Sequence, residues 1–340
     1  MQDLRSLGSG RPTTDNNGMH AILTTPLCEL LGIRHPLLLA PMAGVAGGAL
    51  AAAVSRAGGL GIIGGGYGDP EWLGAELARA GDARVGVGFI TWRLDACVGL
   101  LDMALEHGVA AVLLSFGEVA PYAARVHDAG ARLIAQVQSV AQAHAALAAG
   151  ADVIVAQGGE AGGHAGQRAT LPLVPAVVDI AGTCPVVAAG GIADGRGLAA
   201  ALVLGAQGAM LGSRFYASAE SLAGSAARAR VLEAGGDETV RSPVFDALRG
   251  WEWPAGYALR TLANETTARH AADPDGFAAA LASERDRYAR AQALGDVAQA
   301  AVIVGEAADL LHDAPPAATL VRRIVGEAAA ALAASHVRRG

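Results

Sequence analysis

The chain has 340 residues, of which 52% are hydrophobic and 17% charged, so it holds ample material for a large buried core and is not a disordered chain. Its net charge of −7 argues against a nucleic-acid surface, and all 25 basic residues are arginine, which excludes Schiff-base lysine enzymes, pyridoxal enzymes and Walker-type phosphate loops. Cys28, Cys97 and Cys184 lie far apart, with neither metal spacing nor a disulfide framework, a usage that fits a reducing cytoplasm.

Residues 1–20 are polar and Gly-rich, lack the apolar stretch of a signal peptide, and read as a flexible N-terminal tail. Thr25 and Pro26 match an N-cap and first helical residue ahead of an apolar turn. Residues 37–54 are uncharged and long enough to raise the question of a membrane span. Pro41, Gly44, Gly47 and Gly48 instead divide that stretch into strand, turn and helix. From there apolar runs alternate with Ala-rich helical stretches. The runs at 37–40, 60–63, 85–90, 111–115, 133–137, 153–156, 186–189 and 209–212 predict strands. Most are continuous rather than alternating, as strands buried on both faces should be. Helices are predicted between them, among others at 71–80, 96–107 and 141–149, and Gly81, Gly108, Gly130, Gly150 and Gly205 fall where helices should stop.

Eight strands alternating with helices predict a (β/α)₈ TIM barrel of the α/β class, with an open doubly wound sheet as the alternative. Residues 21–214 would carry the barrel strands and helices, and 215–305 a helical insertion on the substrate side. Residues 306–340 would hold the final barrel helix, centred on 320–332, and the C-terminus.

Three constellations, spread over four loops, could carry the chemistry. After the sixth strand comes Gln157-Gly-Gly-Glu-Ala-Gly-Gly-His-Ala-Gly166, where glycines let the backbone approach a ligand and Glu160 and His164 offer acid–base capacity. After strands seven and eight, Gly190, Gly191, Gly212 and Ser213 sit where barrels commonly hold a phosphate, with Arg214 as an added charge. After strand one, Pro41 shapes a rigid turn and Met42 can lie flat against an aromatic ring. The match of Gly59-Leu-Gly-Ile-Ile-Gly64 to a dinucleotide fingerprint is a decoy, because it runs through a strand and the residue some 20 positions on is Arg84 rather than an acid.

Taken together, these loops give the chain a family likeness. It resembles the nitronate monooxygenase (2-nitropropane dioxygenase) family from about Thr25 onward. The likeness rests on APMAG at 40–44, SRAGGLG at 55–61, FITW at 89–92, AQVQS at 135–139, QGGEAGGHAG at 157–166 and AAGGI at 188–192. The resemblance implies an FMN flavoprotein without metal that oxidises alkyl nitronates or nitroalkanes with O2 to a carbonyl compound and nitrite, and the cysteine usage adds the expectation of a cytoplasmic setting. His164 would be the proton-abstracting base. Met42, Gln136, Gln157, Gly162, Gly163, Gly191, Gly212 and Ser213 would surround the FMN. The implied partners are a small-molecule substrate and O2, with neither nucleic acid nor membrane, and a homodimer is left open. Relatives often carry Asn where this chain has Gly88, and a Gly-Gln pair where it has Gly305 and Glu306. The same motifs also resemble NAD(P)H-dependent flavin reductases of the enoyl-ACP reductase and quinone reductase types, which stand as the alternative. A flavin-binding protein without activity is the third reading.

Overall fold

The computed structural model describes residues 13–14, 21–97 and 99–334 of the chain. The apolar runs form parallel strands β1 (Leu37–Leu39), β2 (Ile62–Gly64), β3 (Gly86–Ile90), β4 (Ala111–Ser115), β5 (Arg132–Val137), β6 (Val153–Gln157), β7 (Val186–Ala189) and β8 (Gly208–Leu211). Consecutive strands pair from β2 to β8, and β8 pairs with β1. The last seam is a parallel bridge between Leu38 and Leu60, in which the Leu39 N–H donates to the Leu60 carbonyl at 2.9 Å and the Leu60 N–H to the Leu37 carbonyl at 3.0 Å. That seam closes the sheet and excludes the open alternative.

Each strand is followed by a helix: α1 (Gly48–Arg56), α2 (Pro70–Ala80), α3 (Leu100–Glu106), α4 (Ala120–Asp128), α5 (Val140–Ala148), α6 (Thr170–Ala181), α7 (Gly195–Val203) and α8 (Ala317–Ala334). Helix α8 packs on α7 and α1 and completes the outer ring. The five glycines predicted to stop helices all adopt positive φ.

The unbroken apolar character of the strands has a simple cause. Alternate residues face two different cores. Leu38, Ile62, Leu113, Ile134, Val155 and Val187 fill the barrel, together with Leu27 and Leu31 of a helix at Pro26–Leu31. Leu37, Leu39, Val87, Val112, Leu133 and Ile154 face the helices. Each such side chain gains roughly 1.5–3 kcal/mol by full burial, so both faces are apolar, and the buried polar residues Ser115, Gln136 and Gln157 fall at or near the C-terminal strand ends. Thr25 precedes the Pro26 helix as expected, but its hydroxyl donates to the Gln207 carbonyl at 2.6 Å instead of capping the helix.

Between β8 and α8 the chain leaves the barrel. This excursion is mainly helical, as expected, yet it also contains the strands Thr239–Ser242 and Ala258–Leu262. They form an antiparallel three-stranded sheet with Gly163–Ala165, from the loop after β6. The helical reading missed them because each is short and carries an arginine, Arg241 and Arg260, where an amphipathic helix would serve equally well. No described helix is long and apolar enough to cross a membrane. The expected tail at 1–20 lies outside the described residues except for Thr13–Thr14, which pair with Ala21–Ile22.

Candidate active site

The loops at the C-terminal ends of the strands surround a cavity of about 520 Å³. Met42 after β1, Gln136 on β5 and Gln157 at the end of β6 all line it. So do Gly162, Gly163 and His164 in the next loop, Gly191 after β7, and Gly212 and Ser213 after β8. The structure therefore brings these nine sequence-selected residues around one cavity.

His164 lies in the strand Gly163–Ala165, held opposite Leu259 of the excursion. It is 7% exposed, its Nε2 is 2.9 Å from Asp246 Oδ2, and its ring stacks on Trp253 with centroids 3.3 Å apart and planes at 11°. Burial pushes the imidazole below the ordinary histidine range, and the hydrogen bond and charge of Asp246 recover part of that shift. Asp246 is itself buried, in the short helix Val244–Arg249.

A buried amide network backs the loop. Gln136 Nε2 and Gln138 Nε2 both donate to Gln157 Oε1, at 3.0 and 2.8 Å, and Gln157 Nε2 donates to the His164 carbonyl at 3.2 Å. Gln157 thus fixes the backbone that carries the imidazole. Glu160, the other acid–base candidate, is spoken for: its carboxylate accepts from the Thr170 amide at 2.9 and 3.0 Å and from the Thr170 hydroxyl at 2.9 Å, capping α6. Arg214 does not supply charge to the cradle either. It is buried, is absent from the cavity wall, and pairs with the Asp313 carboxylate while donating to the Asp313 carbonyl at 2.9 Å. What the loops after β7 and β8 do present is bare backbone, at Gly190 and Gly191 with φ of 98° and 72°, beside the Ser213 hydroxyl. Ser213 Oγ accepts from the Gly305 amide at 2.9 Å, which leaves its own proton free to donate.

The mouth is aromatic. Aromatic residues make up 4% of the chain, yet Tyr67, Trp92, Phe116, Trp251, Trp253 and Tyr257 meet here. Phe116, directly after β4, has φ of 63°, and is the sole described non-glycine residue with positive φ. Such backbone is strained for a bulky residue, and it brings the Phe116 ring to 6.3 Å from His164 and 5.0 Å from Trp253. Sequence reasoning missed Asp246, Trp253 and Phe116. The clustering of scarce tryptophans at 251 and 253 was the available signal.

The family model described as nitronate monooxygenase matches residues 24–85 and 83–327. The chain belongs to the nitronate monooxygenase family. It is 35% identical over 332 residues to nitronate monooxygenase npaC of Metarhizium robertsii, covering 88% of this chain and 92% of that one. It is 39% identical over 231 residues to the (3aS,4S,5R,7aS)-5-hydroxy-7a-methyl-1-oxo-octahydro-1H-indene-4-carboxyl-CoA dehydrogenase of Mycobacterium tuberculosis, a match that spans 66% of this chain and 65% of that relative. Among solved structures, FabK from Thermotoga maritima matches with a TM-score of 0.79 and 32% identity over 90% of this chain and 96% of that one. Nitroalkane oxidase from Streptomyces ansochromogenes matches with a TM-score of 0.77 and 29% identity over 91% of this chain and 99% of that one.

Membership of the nitronate monooxygenase family makes the two departures worth explaining. A Cβ at Gly88 would lie 2.3 Å from Pro41 Cβ, so the turn after β1 occupies the space a side chain would need. Gly305 and Glu306 cross the loop after β6 at close range. A Cβ on Gly305 would meet the Glu160 carbonyl at 2.5 Å, and the Glu306 amide donates to that carbonyl at 2.9 Å. The Glu306 carboxylate pairs with Arg260 at 2.7 Å, and Arg260 also donates to the Gly159 carbonyl at 3.0 and 3.2 Å. The residue at 306 therefore braces the site from the excursion side.

Proposed function

We propose that this oxidoreductase uses FMN to oxidise alkyl nitronates and nitroalkanes with O2, giving a carbonyl compound and nitrite, with His164 as the base. The observation that carries the reading is the state of His164. It is a desolvated imidazole on the cavity wall, disfavoured in its charged form and partnered by one carboxylate. A base that is neutral near pH 7 and placed beside the substrate is what slow carbon acids require. A nitroalkane C–H is acidic but ionises sluggishly. His164 would take that proton while the C–H electron pair spreads onto the nitro oxygens.

The cavity fits a flavin mononucleotide. Its volume of about 520 Å³ falls within the usual range for small-molecule sites. The positive-φ backbone at Gly190 and Gly191, the Gly212–Ser213 turn and the free Ser213 proton would hold the phosphate through neutral donors. Met42 lies against Gly212, with its Sδ 3.6 Å from where a Cβ there would sit, and would form part of an apolar floor for the ring. Gln136, Gln157, Gly162 and Gly163 would edge the ring system. When bound, the flavin supplies the redox chemistry that links substrate oxidation to O2. The protein holds the substrate carbon near His164 and excludes water with the aromatic mouth. A small-molecule substrate and a cytoplasmic setting belong to the same reading.

The similarity to FabK favours a second reading, in which a nicotinamide nucleotide reduces the flavin and an unsaturated compound accepts the electrons. His164→Asn separates the roles of the imidazole. The variant should keep its flavin. It should lose about 10²–10⁴-fold in turnover of the neutral nitroalkane, the usual worth of general base catalysis, and much less with the preformed nitronate. Equal losses on both substrates would make His164 a binding group.

A further inference from the structure

We propose that Asp246 is a positioning residue that holds the Nε2–H tautomer of His164 and so makes Nδ1 the proton acceptor. The inference rests on the reading of His164 as a base and assigns the atom that does the work.

The geometry allows each in-plane position of the imidazole one role. Nε2 points at Asp246 Oδ2, 2.9 Å away. An ionised carboxylate only accepts, so the proton on that edge belongs to Nε2. Trp253 covers a face of the ring at 3.3 Å and 11°, which leaves the in-plane lone pairs untouched. Among the described residues none bonds Nδ1, and His164 lines the cavity. Its lone pair is the acceptor that remains for a substrate C–H. In the proton transfer the C–H bond breaks, its electron pair stays on the substrate as the nitronate, and an Nδ1–H bond forms.

Asp246 also looks committed to this task. Its Oδ1 is buried with no partner among the described residues, so the hydrogen bond from His164 is the bond its side chain makes. A carboxylate kept only to cap a helix would accept backbone amides, as that of Glu160 does from Thr170. The dyad also stabilises the imidazolium that forms when Nδ1 takes the proton. Asp246 is the anion at that edge, while the cationic Arg249, three residues along its helix, and Arg241, on the neighbouring strand, act in the opposite sense. This 82-residue separation in sequence explains why no local motif announces the pair.

The test is nitrogen NMR of histidine-labelled flavin-bound protein, with the His164 signal assigned by its absence from His164→Asn. Wild type should show a protonated Nε2 and an unprotonated Nδ1 at neutral pH. Asp246→Asn should lose or mix that tautomer and titrate at lower pH, because the anion that favours the imidazolium is gone. In kinetics the acid limb of kcat/KM for a neutral nitroalkane should move to lower pH in Asp246→Asn. Its plateau should fall about 10²-fold or more, with a much smaller loss in turnover of the preformed nitronate. Asp246→Glu should recover part of the loss. A protonated Nδ1 in wild type, or an unchanged tautomer and titration in Asp246→Asn, would overturn the proposal. The NMR arm reads the dyad without any turnover, so a protein inactive on nitroalkanes would contradict the function and leave this assignment standing or falling on its own spectrum.

Discussion

At the scale of single residues, the site depends on backbone that only glycine supplies cheaply. Gly191 has φ of 72°, and a Cβ there would sit 3.4 Å from Glu160 Cβ, on the loop that also carries His164. Left-handed backbone costs an ordinary residue about 1–2 kcal/mol. Gly191→Ala should relieve that strain by moving the loop away from the place proposed for the flavin phosphate. The prediction is a folded protein with a reduced ratio of flavin to protein, measured by absorbance after purification. Unchanged flavin content would show that Gly191 only turns the chain. The candidate site was largely legible at this scale because glycines, Gln157 and His164 lie within a few residues of strand ends. Asp246 and Trp253 were not, since their approach to His164 depends on the path of the whole excursion. Glu160 and Arg214 show the converse: both belong to residue types suited to chemistry, and both are consumed by structural partners, Thr170 and Asp313.

At the scale of elements, the glycines of the false dinucleotide fingerprint find their physical role in packing. A Cβ on Gly61 would lie 1.8 Å from the Ala51 carbonyl, and one on Gly59 would lie 2.6 Å from the Leu37 carbonyl. Helix α1 thus sits directly on the chain entering β2. Gly61→Ala should force the two apart and cost at least about 1–3 kcal/mol, the usual range for overpacking. Gly326→Ala makes the matched control. It lies within α8 with nothing in the space its Cβ would enter, so it should gain roughly 0.5–1 kcal/mol. Thermal unfolding of both variants should give shifts of opposite sign, and a harmless Gly61→Ala would mean that the α1–β2 contact is loose. Element positions were readable because burial on both faces makes the strands continuous. The predicted run at 111–115 coincides with β4 and that at 186–189 with β7. The strands Thr239–Ser242 and Ala258–Leu262 escaped because their pairing partners, including Gly163–Ala165, are remote in sequence.

At the scale of the whole molecule, the closed barrel and its excursion divide the labour. The barrel gathers the loops after β1, β6, β7 and β8 at one mouth. The excursion then contributes what those loops lack, namely a carboxylate for His164, an aromatic cover, and the Arg260–Glu306 brace. Closure could be expected from the count of eight apolar runs, but the seam itself rests on a single bridge between Leu38 and Leu60 that no local pattern reveals. The proposed flavin chemistry admits two uses of the same mouth, in which the electrons enter from a nitronate or from a nicotinamide nucleotide. Anaerobic mixing of the purified protein with an alkyl nitronate, and separately with NADH and NADPH, separates them by the bleaching of the flavin absorbance. The account predicts rapid bleaching by the nitronate, with neither nucleotide matching it. Rapid bleaching by NADH or NADPH and none by the nitronate would contradict it.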